Sequence, residues 1–469
     1  MVTMTVFADA VERVRPVQIR WWVLGAGAGA VLGAVTAVNS SLGLGLTILL
    51  GVVVAILMKP SSLLLVLVAS VFVELIKIGS LTITRVIAPV ALFVVIAAAV
   101  RKGTQIRPAA PLFWAGAYTL WALASSLWTV SPAGTTYLLS SLAIALIFML
   151  SFASLLATRR DLDRVLYALA ALSLALGVLS TFAFIGRPLF GFGLLQEGRV
   201  QGGTGDPSFF AAAQLIALPL ILVLASNAKG ALRNALYLVA LVNIGSVLST
   251  VSRGGTIQLV VVLLLLLALP ARTIFRSPAQ KRVAMAALVA GMAVFFVHYS
   301  ADLAPRLQTI YSRGQDRTGS GRLAIWPAAV DAFHERPFLG IGYGAFVRTS
   351  VDRIYSTPGS SIENFNVHPE EVHNVFLGTA TELGIPGLTI FLGLLFSTGL
   401  ALRRTAKRAR EAGAHYLSSV ANALIVGLVG WCVGSMFIET ETSRPIWIVI
   451  GMSLALPKLI PEREAPEPQ

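Results

Sequence analysis

Apolar residues fill this chain in runs too long for the core of a soluble protein. A membrane-crossing helix needs about 20 mostly apolar residues, and about fourteen such stretches can be marked. They fall near 21–38, 42–58, 61–76, 86–100, 109–128, 137–157 and 165–185. The second set falls near 209–226, 235–249, 255–271, 283–299, 372–402, 416–437 and 445–459. Several are short, so about 12–14 spans are expected. In a bilayer every backbone polar group must find a partner within the protein. Runs of this length answer that demand as helices, and the expected fold is all-α, a polytopic transmembrane helical bundle.

Composition narrows the function classes. The 469 residues are 56% hydrophobic and only 12% charged, with a mean hydropathy of +0.80. A soluble domain usually carries about 25% charge, so an ordinary cytosolic enzyme is excluded. High apolar content also excludes disorder. The net charge of +14 would suggest nucleic acid in a soluble protein. Here basic residues are expected to anchor helices at a membrane, and no nucleic-acid partner is expected. The single cysteine, Cys432, makes no internal disulfide and no metal cluster. Arg13, Arg15 and Arg20 precede the first apolar stretch, and Val35-Thr36-Ala37 loosely resembles a cleavage site. The many spans that follow favour a retained first helix.

Basic residues also predict orientation. Placing successive connections on alternate sides puts 23 Lys and Arg on one side and 13 on the other. Seven of those 13 belong to one long loop near 300–371, so the short loops that decide topology divide 23 against 6. Both termini are therefore expected in the cytoplasm. The organisation expected is spans and short external loops over 1–299, a long external loop over 300–371, and the last spans with a cytoplasmic tail over 372–469.

Polar chemistry collects on the sparsely basic side. Arg199 leads a Gly-rich stretch ending Gly205-Asp206-Pro207-Ser208. It reads either as a tight turn with Asp206 or Ser208 capping the next helix, or as an anion site. Arg253, in Ser252-Arg253-Gly254, is an isolated arginine at a membrane edge, either a headgroup anchor or a functional group. The long loop carries Arg313, Arg317 and Arg322. In it Leu323, Trp326, Ala329, Val330 and Phe333 recur at helical spacing, as in an amphipathic helix lying on a membrane surface. Gly340, Gly342 and Gly344 mimic a phosphate loop, but no Lys-Ser/Thr follows, so no nucleotide is expected.

His373-Asn374 stands at the start of the long apolar stretch 372–402. Imidazole suits proton transfer near neutral pH, although a hydrogen-bonded interfacial histidine is the bland alternative. On an ideal helix Glu382 lies about 180° from His373 and is expected to hold a neighbouring element instead. His368 and His373 lack a third ligand at a metal-site spacing, so no metal and no cofactor are expected. The turn with Glu439, Glu441 and Arg444 reads equally as an acceptor groove or an internal salt-bridge network.

Taken in order, Arg199…Gly205-Asp206-Pro207-Ser208, Ser252-Arg253-Gly254, Ser320-Gly321-Arg322…Trp326, Gly340…Gly344, His373-Asn374 and Glu382-Leu383-Gly384-Ile385-Pro386-Gly387 resemble the O-antigen ligase and O-antigen polymerase superfamily. The likeness runs from about 199 to 402. It implies a metal-independent, inverting glycosyltransferase facing the periplasm or cell exterior of a bacterial cytoplasmic membrane. The donor would be a glycan on a polyprenyl diphosphate, and the acceptor a lipid-linked sugar or a growing glycan. It also implies roles for Arg199, Arg253, Arg322 and His373, with Arg317 and Asn374 beside them. Ligase and polymerase share these motifs, and a protein acceptor is a further reading within the enzyme class. A lipid-glycan transporter would need charge near the bilayer midplane, where Glu74 and Glu382 are the main cases. A non-enzymatic scaffold would tolerate loss of Arg253 and His373.

Overall fold

The computed structural model describes residues 59–74, 77–78, 81–102, 108–184, 186, 195–196, 199–298, 322–357, 369–438 and 441–461. The expected spans at 21–38 and 42–58, together with Arg317 and Glu439, lie outside the described residues. From Pro60 onward the chain forms one compact unit.

Each of the other twelve expected spans becomes a helix. They are α1 (Leu63–Phe72), α2 (Ile83–Lys102), α3 (Ala110–Ala124), α4 (Pro132–Leu155), α5 (Arg159–Phe184) and α6 (Pro207–Asn227). After these come α7 (Gly230–Ser249), α8 (Arg253–Ala268) and α9 (Pro278–His298). Two further helices, α10 (Arg322–Glu335) and α11 (Phe346–Ser356), precede α12 (Val375–Glu411), α13 (His415–Gly434) and α14 (Arg444–Ala455). Seven of the described helices are long and apolar enough to cross a membrane, while α1 and α8 are shorter apolar helices. The only described strands form two-residue antiparallel hairpins, β1 (Lys77–Ile78) with β2 (Leu81–Thr82) and β3 (Leu195–Gln196) with β4 (Arg199–Val200).

Helix α6 is the enclosed centre, with nearly all of its residues buried. It packs against α7, α13, α5 and α8. Its one strongly polar interior residue, Gln214, is fully used. Gln214 accepts from the Ser173 hydroxyl at 2.7 Å and from Asn243 at 3.0 Å, and donates to Ser246 at 3.0 Å. In an apolar interior such hydrogen bonds hold helices together and specify their register.

The loops separate into two ends. At one end the basic connections meet. Lys458 donates to the carbonyl of Ala153, Tyr416 donates to Asp163 beneath the Arg159 guanidinium, and Arg276 donates to Asn227. At the other end Arg444 pairs with Glu74, Ser208 meets Ser252, and Trp128 donates to the carbonyl of Leu339. These are called the basic end and the site end below. Glu74 stands two residues past the end of α1, so it sits at the site end and not in mid-span.

Two expectations about local structure need correction. The stretch 372–402 is too long for one straight crossing, and the chain divides it. Helix α12 begins only at Val375 and is broken at Gly384, which has φ 69° and ψ −172°. Pro386 follows, and it removes a donor from the helical ladder. The part from Ile385 to Leu402 is about 27 Å long at the helical rise, close to a bilayer's apolar thickness. The part before the break belongs with the connection that precedes it. The second correction concerns α10. Its buried face is Ile325, Ala328, Ala329 and Ala332, whereas Val330 is exposed. That face docks on α11 and α12.

Candidate active site

Three helix N-termini meet at the site end, each closed by a side-chain cap. Asp206 accepts from the amides of Ser208 and Phe209 at 2.6 and 3.0 Å and starts α6. Ser252 accepts from Gly255 at 3.1 Å and starts α8. Asn374 accepts from Phe376 and Leu377 at 3.1 and 3.2 Å and starts α12. The hydroxyls of Ser208 and Ser252 lie 3.0 Å apart, which joins the first two termini. Helix α12 is joined to the same region through the turn after α13. There the amide of Val375 donates to Ser435 at 2.9 Å, and a side chain at Gly254 would collide with Phe437 two residues on. Each N-terminus carries partial positive charge, so this end favours an anion.

Two of the candidate arginines stand at these termini. Arg199, on β4, donates from Nε to the carbonyl of Thr250 at 3.2 Å. Thr250 closes α7 three residues before Arg253, the first residue of α8. Arg199 and Arg253 are thus drawn to one turn from segments 54 positions apart. Arg322 is the first residue of α10, one turn ahead of Trp326. The Trp326 indole donates to the carbonyl of Val372 at 3.1 Å, next to His373.

Among the described residues only two non-glycines have positive φ, Val251 at 48° and His373 at 54°. That conformation is costly, most of all for a β-branched valine. Val251 lies two residues before Arg253, and His373 is itself a candidate. The imidazole Nε2 lies 3.3 Å from the Glu370 carboxylate, and the Glu370 amide donates to Ser350 on α11 at 3.0 Å. Glu371 lies within electrostatic reach of both His373 and Asp206, which links the α12 start to the α6 start. His373 therefore precedes α12 rather than riding on it.

Asp206 and Asn374 commit side-chain oxygens to caps. The capping reading of Asp206 is the one realised, and Asn374 caps α12 in the same way. The ideal-helix angle between His373 and Glu382 does not apply, because His373 lies before α12. Glu382 accepts from the backbone amides of Gly344 and Phe346. The Gly-rich turn that mimics a phosphate loop thus holds a carboxylate of its own chain. Arg444 makes an internal pair with Glu74, at 2.7 and 3.1 Å, and also reaches Thr84. Glu441 is buried, which pushes its carboxyl well above the usual range, and the nearby carboxylates of Glu382 and Glu371 add to the effect.

Sequence reasoning missed Glu370 and Glu371 as neighbours of His373, because nothing in their spacing says which way a non-helical turn points. It also missed α11, although Phe346, Val347, Val351 and Ile354 recur at helical spacing. No group of three His, Cys, Asp or Glu among the described residues is arranged to hold a metal. A mainly apolar pocket lined by residues such as Phe72, Leu169, Ile216 and Val449 contains none of the candidate residues.

Residues 236–392 match the family model described as O-antigen ligase. The match runs from within α7 to within α12, so this part of the chain is similar to an O-antigen ligase domain. Arg253, Arg322, His373, Asn374 and Glu382 lie inside the match, and Arg199, Asp206 and Arg444 outside it. No curated protein matches the sequence.

Proposed function

We propose, taking that domain as the premise, that the protein transfers a glycan from a polyprenyl-diphosphate carrier to an acceptor hydroxyl, with inversion and without a metal, at the outer face of a bacterial cytoplasmic membrane. Both termini would be cytoplasmic, with the basic end inside. One observation carries the reading: the two non-glycine residues with positive φ, Val251 and His373, stand two residues before Arg253 and directly before the α12 cap, where capped helix N-termini meet.

The acceptor oxygen attacks the anomeric carbon from the face opposite the diphosphate. The carbon–oxygen bond to the diphosphate breaks, and its electron pair leaves with the diphosphate. The acceptor proton passes to His373. Negative charge therefore grows on the leaving group as the reaction proceeds. Arg253 and Arg322 would stabilise it, with Arg199, Arg317 and Asn374 holding the diphosphate in place. Preplaced guanidinium groups and helix N-termini need no reorganisation at that moment, which is why such stabilisation is effective away from water. The partners are a lipid-linked donor, a lipid or glycan acceptor and the bilayer itself.

The test is transfer in reconstituted membranes with a carrier-linked glycan and candidate acceptors. Arg253→Ala should lower kcat by about 10²–10³-fold, and His373→Ala should abolish most of the transfer with the donor still bound. A chelator should leave the rate unchanged. Strict dependence on a divalent cation, or full activity of both variants, would overturn the reading.

A further inference from the structure

Glu382 is 3% exposed, and both of its carboxylate oxygens are engaged. Oε2 accepts from the Gly344 amide at 2.7 Å and Oε1 from the Phe346 amide at 3.0 Å. Phe346 is the first residue of α11, so the carboxylate caps that helix from another element. Around this cap the turn 337–345 and α12 exchange backbone hydrogen bonds. Ile341 donates to the carbonyl of Thr381 at 3.1 Å, Gly342 to that of Glu382 at 2.9 Å, and Ile385 to that of Pro337 at 2.8 Å. Trp121 of α3 donates to the carbonyl of Leu383 at 2.9 Å. The break at Gly384 frees these groups, and the turn satisfies them. Gly340 and Gly344, with φ 68° and 74°, approach α12 and α4 so closely that a Cβ would strike backbone.

What hangs on this joint is a small core of its own. Ile325 and Ala329 of α10, Ile341 of the turn, Phe346 and Ile354 of α11, and Val372 form one buried cluster. Val372 directly precedes His373. Besides Glu382 and the Ile341 amide, the Thr381 hydroxyl ties the cluster to α12 by donating to the carbonyl of Ala329 at 2.9 Å.

We propose that Glu382 is a positioning residue for the transfer reaction: it locks the module bearing His373 onto α12 and so sets the imidazole relative to Arg253. This rests on the role given to His373 above. Only a carboxylate of this length serves two amides at once. A glutamine would turn an NH₂ group toward one N–H, and an aspartate falls short by a methylene.

The experiment combines hydrogen exchange with steady-state kinetics on the full chain in detergent or lipid. In the unaltered protein the amides of 340–346 should exchange as slowly as those of α12. Glu382→Ala and Glu382→Gln should speed exchange over 340–357 and leave α13 unchanged. They should lower kcat by about 10–100-fold with little change in KM, and glutamine should fall between alanine and the parent. Rapid exchange at 340–346 in the unaltered protein would overturn the proposal, and needs no variant to fold. Loosened exchange with an unchanged kcat would overturn it as well. If His373→Ala kept full transfer, the functional reading would fall, while the exchange data would still judge the lock.

Discussion

At the scale of single residues, Glu441 shows how burial turns a side chain into a pH-dependent stability term. It lies in the turn before α14 and is only 5% exposed. Burial, and next to it the charge of Glu382, raises its pKa in the folded protein above the unfolded value. The folded state then keeps a proton that the unfolded state has released. Stability is therefore full below the ordinary glutamate value and falls as pH rises above it, until the folded carboxyl also ionises. Glu441→Gln should flatten this decline and raise stability on the alkaline side, as read by thermal unfolding in detergent across the pH range. An unchanged pH profile would show that Glu441 is ionised and paired in the fold. His373 illustrates the limit of reading single residues: its type was legible, but its left-handed backbone depends on the α13 turn that anchors Val375.

Between elements, the Arg444–Glu74 pair decides how α14 meets the turn between α1 and α2. Both side chains are mostly buried, at 16% and 22% exposure, and the contact is bidentate. Arg85 adds favourable charge near Glu74, whose pKa is nonetheless raised because desolvation outweighs both arginines. Removing one partner strands the other, at a cost of about 3–5 kcal/mol for a well-buried pair, with residual exposure pulling toward the lower figure. Glu74→Leu and Arg444→Met should each lower the unfolding midpoint, and the double variant should recover much of the loss. Additive losses would mean that the pair does not couple these elements. The same scale explains why α10 was misread. Its apolar period was visible, but which side of it is buried depends on α11, a helix whose partner was unknown from the sequence.

For the whole molecule, orientation is the property that every functional statement needs. Basic residues gather at one end of the bundle and the capped N-termini at the other. In a Cys432→Ser background, Arg410→Cys should react with a membrane-impermeant thiol reagent only after the membrane is opened. Asp352→Cys, exposed on α11, should react in intact cells. The reverse pattern would turn the site toward the cytoplasm and remove its access to an externally displayed carrier.

The sequence by itself determined that this is a bundle of apolar helices, about where each apolar span lies, and which end collects positive charge. Those features are local, since helical backbone satisfies itself within one segment and side-chain transfer energies add along it. Cap residues such as Asp206 were legible for the same reason, because a cap acts within three residues. Tertiary structure alone decided that α12 breaks at Gly384, that a Gly-rich turn fills the gap, and that Glu382 holds that turn. It also decided that Arg199 reaches the end of α7. Such contacts join positions tens to hundreds of residues apart, and no local period encodes which unsatisfied backbone group will meet which distant donor.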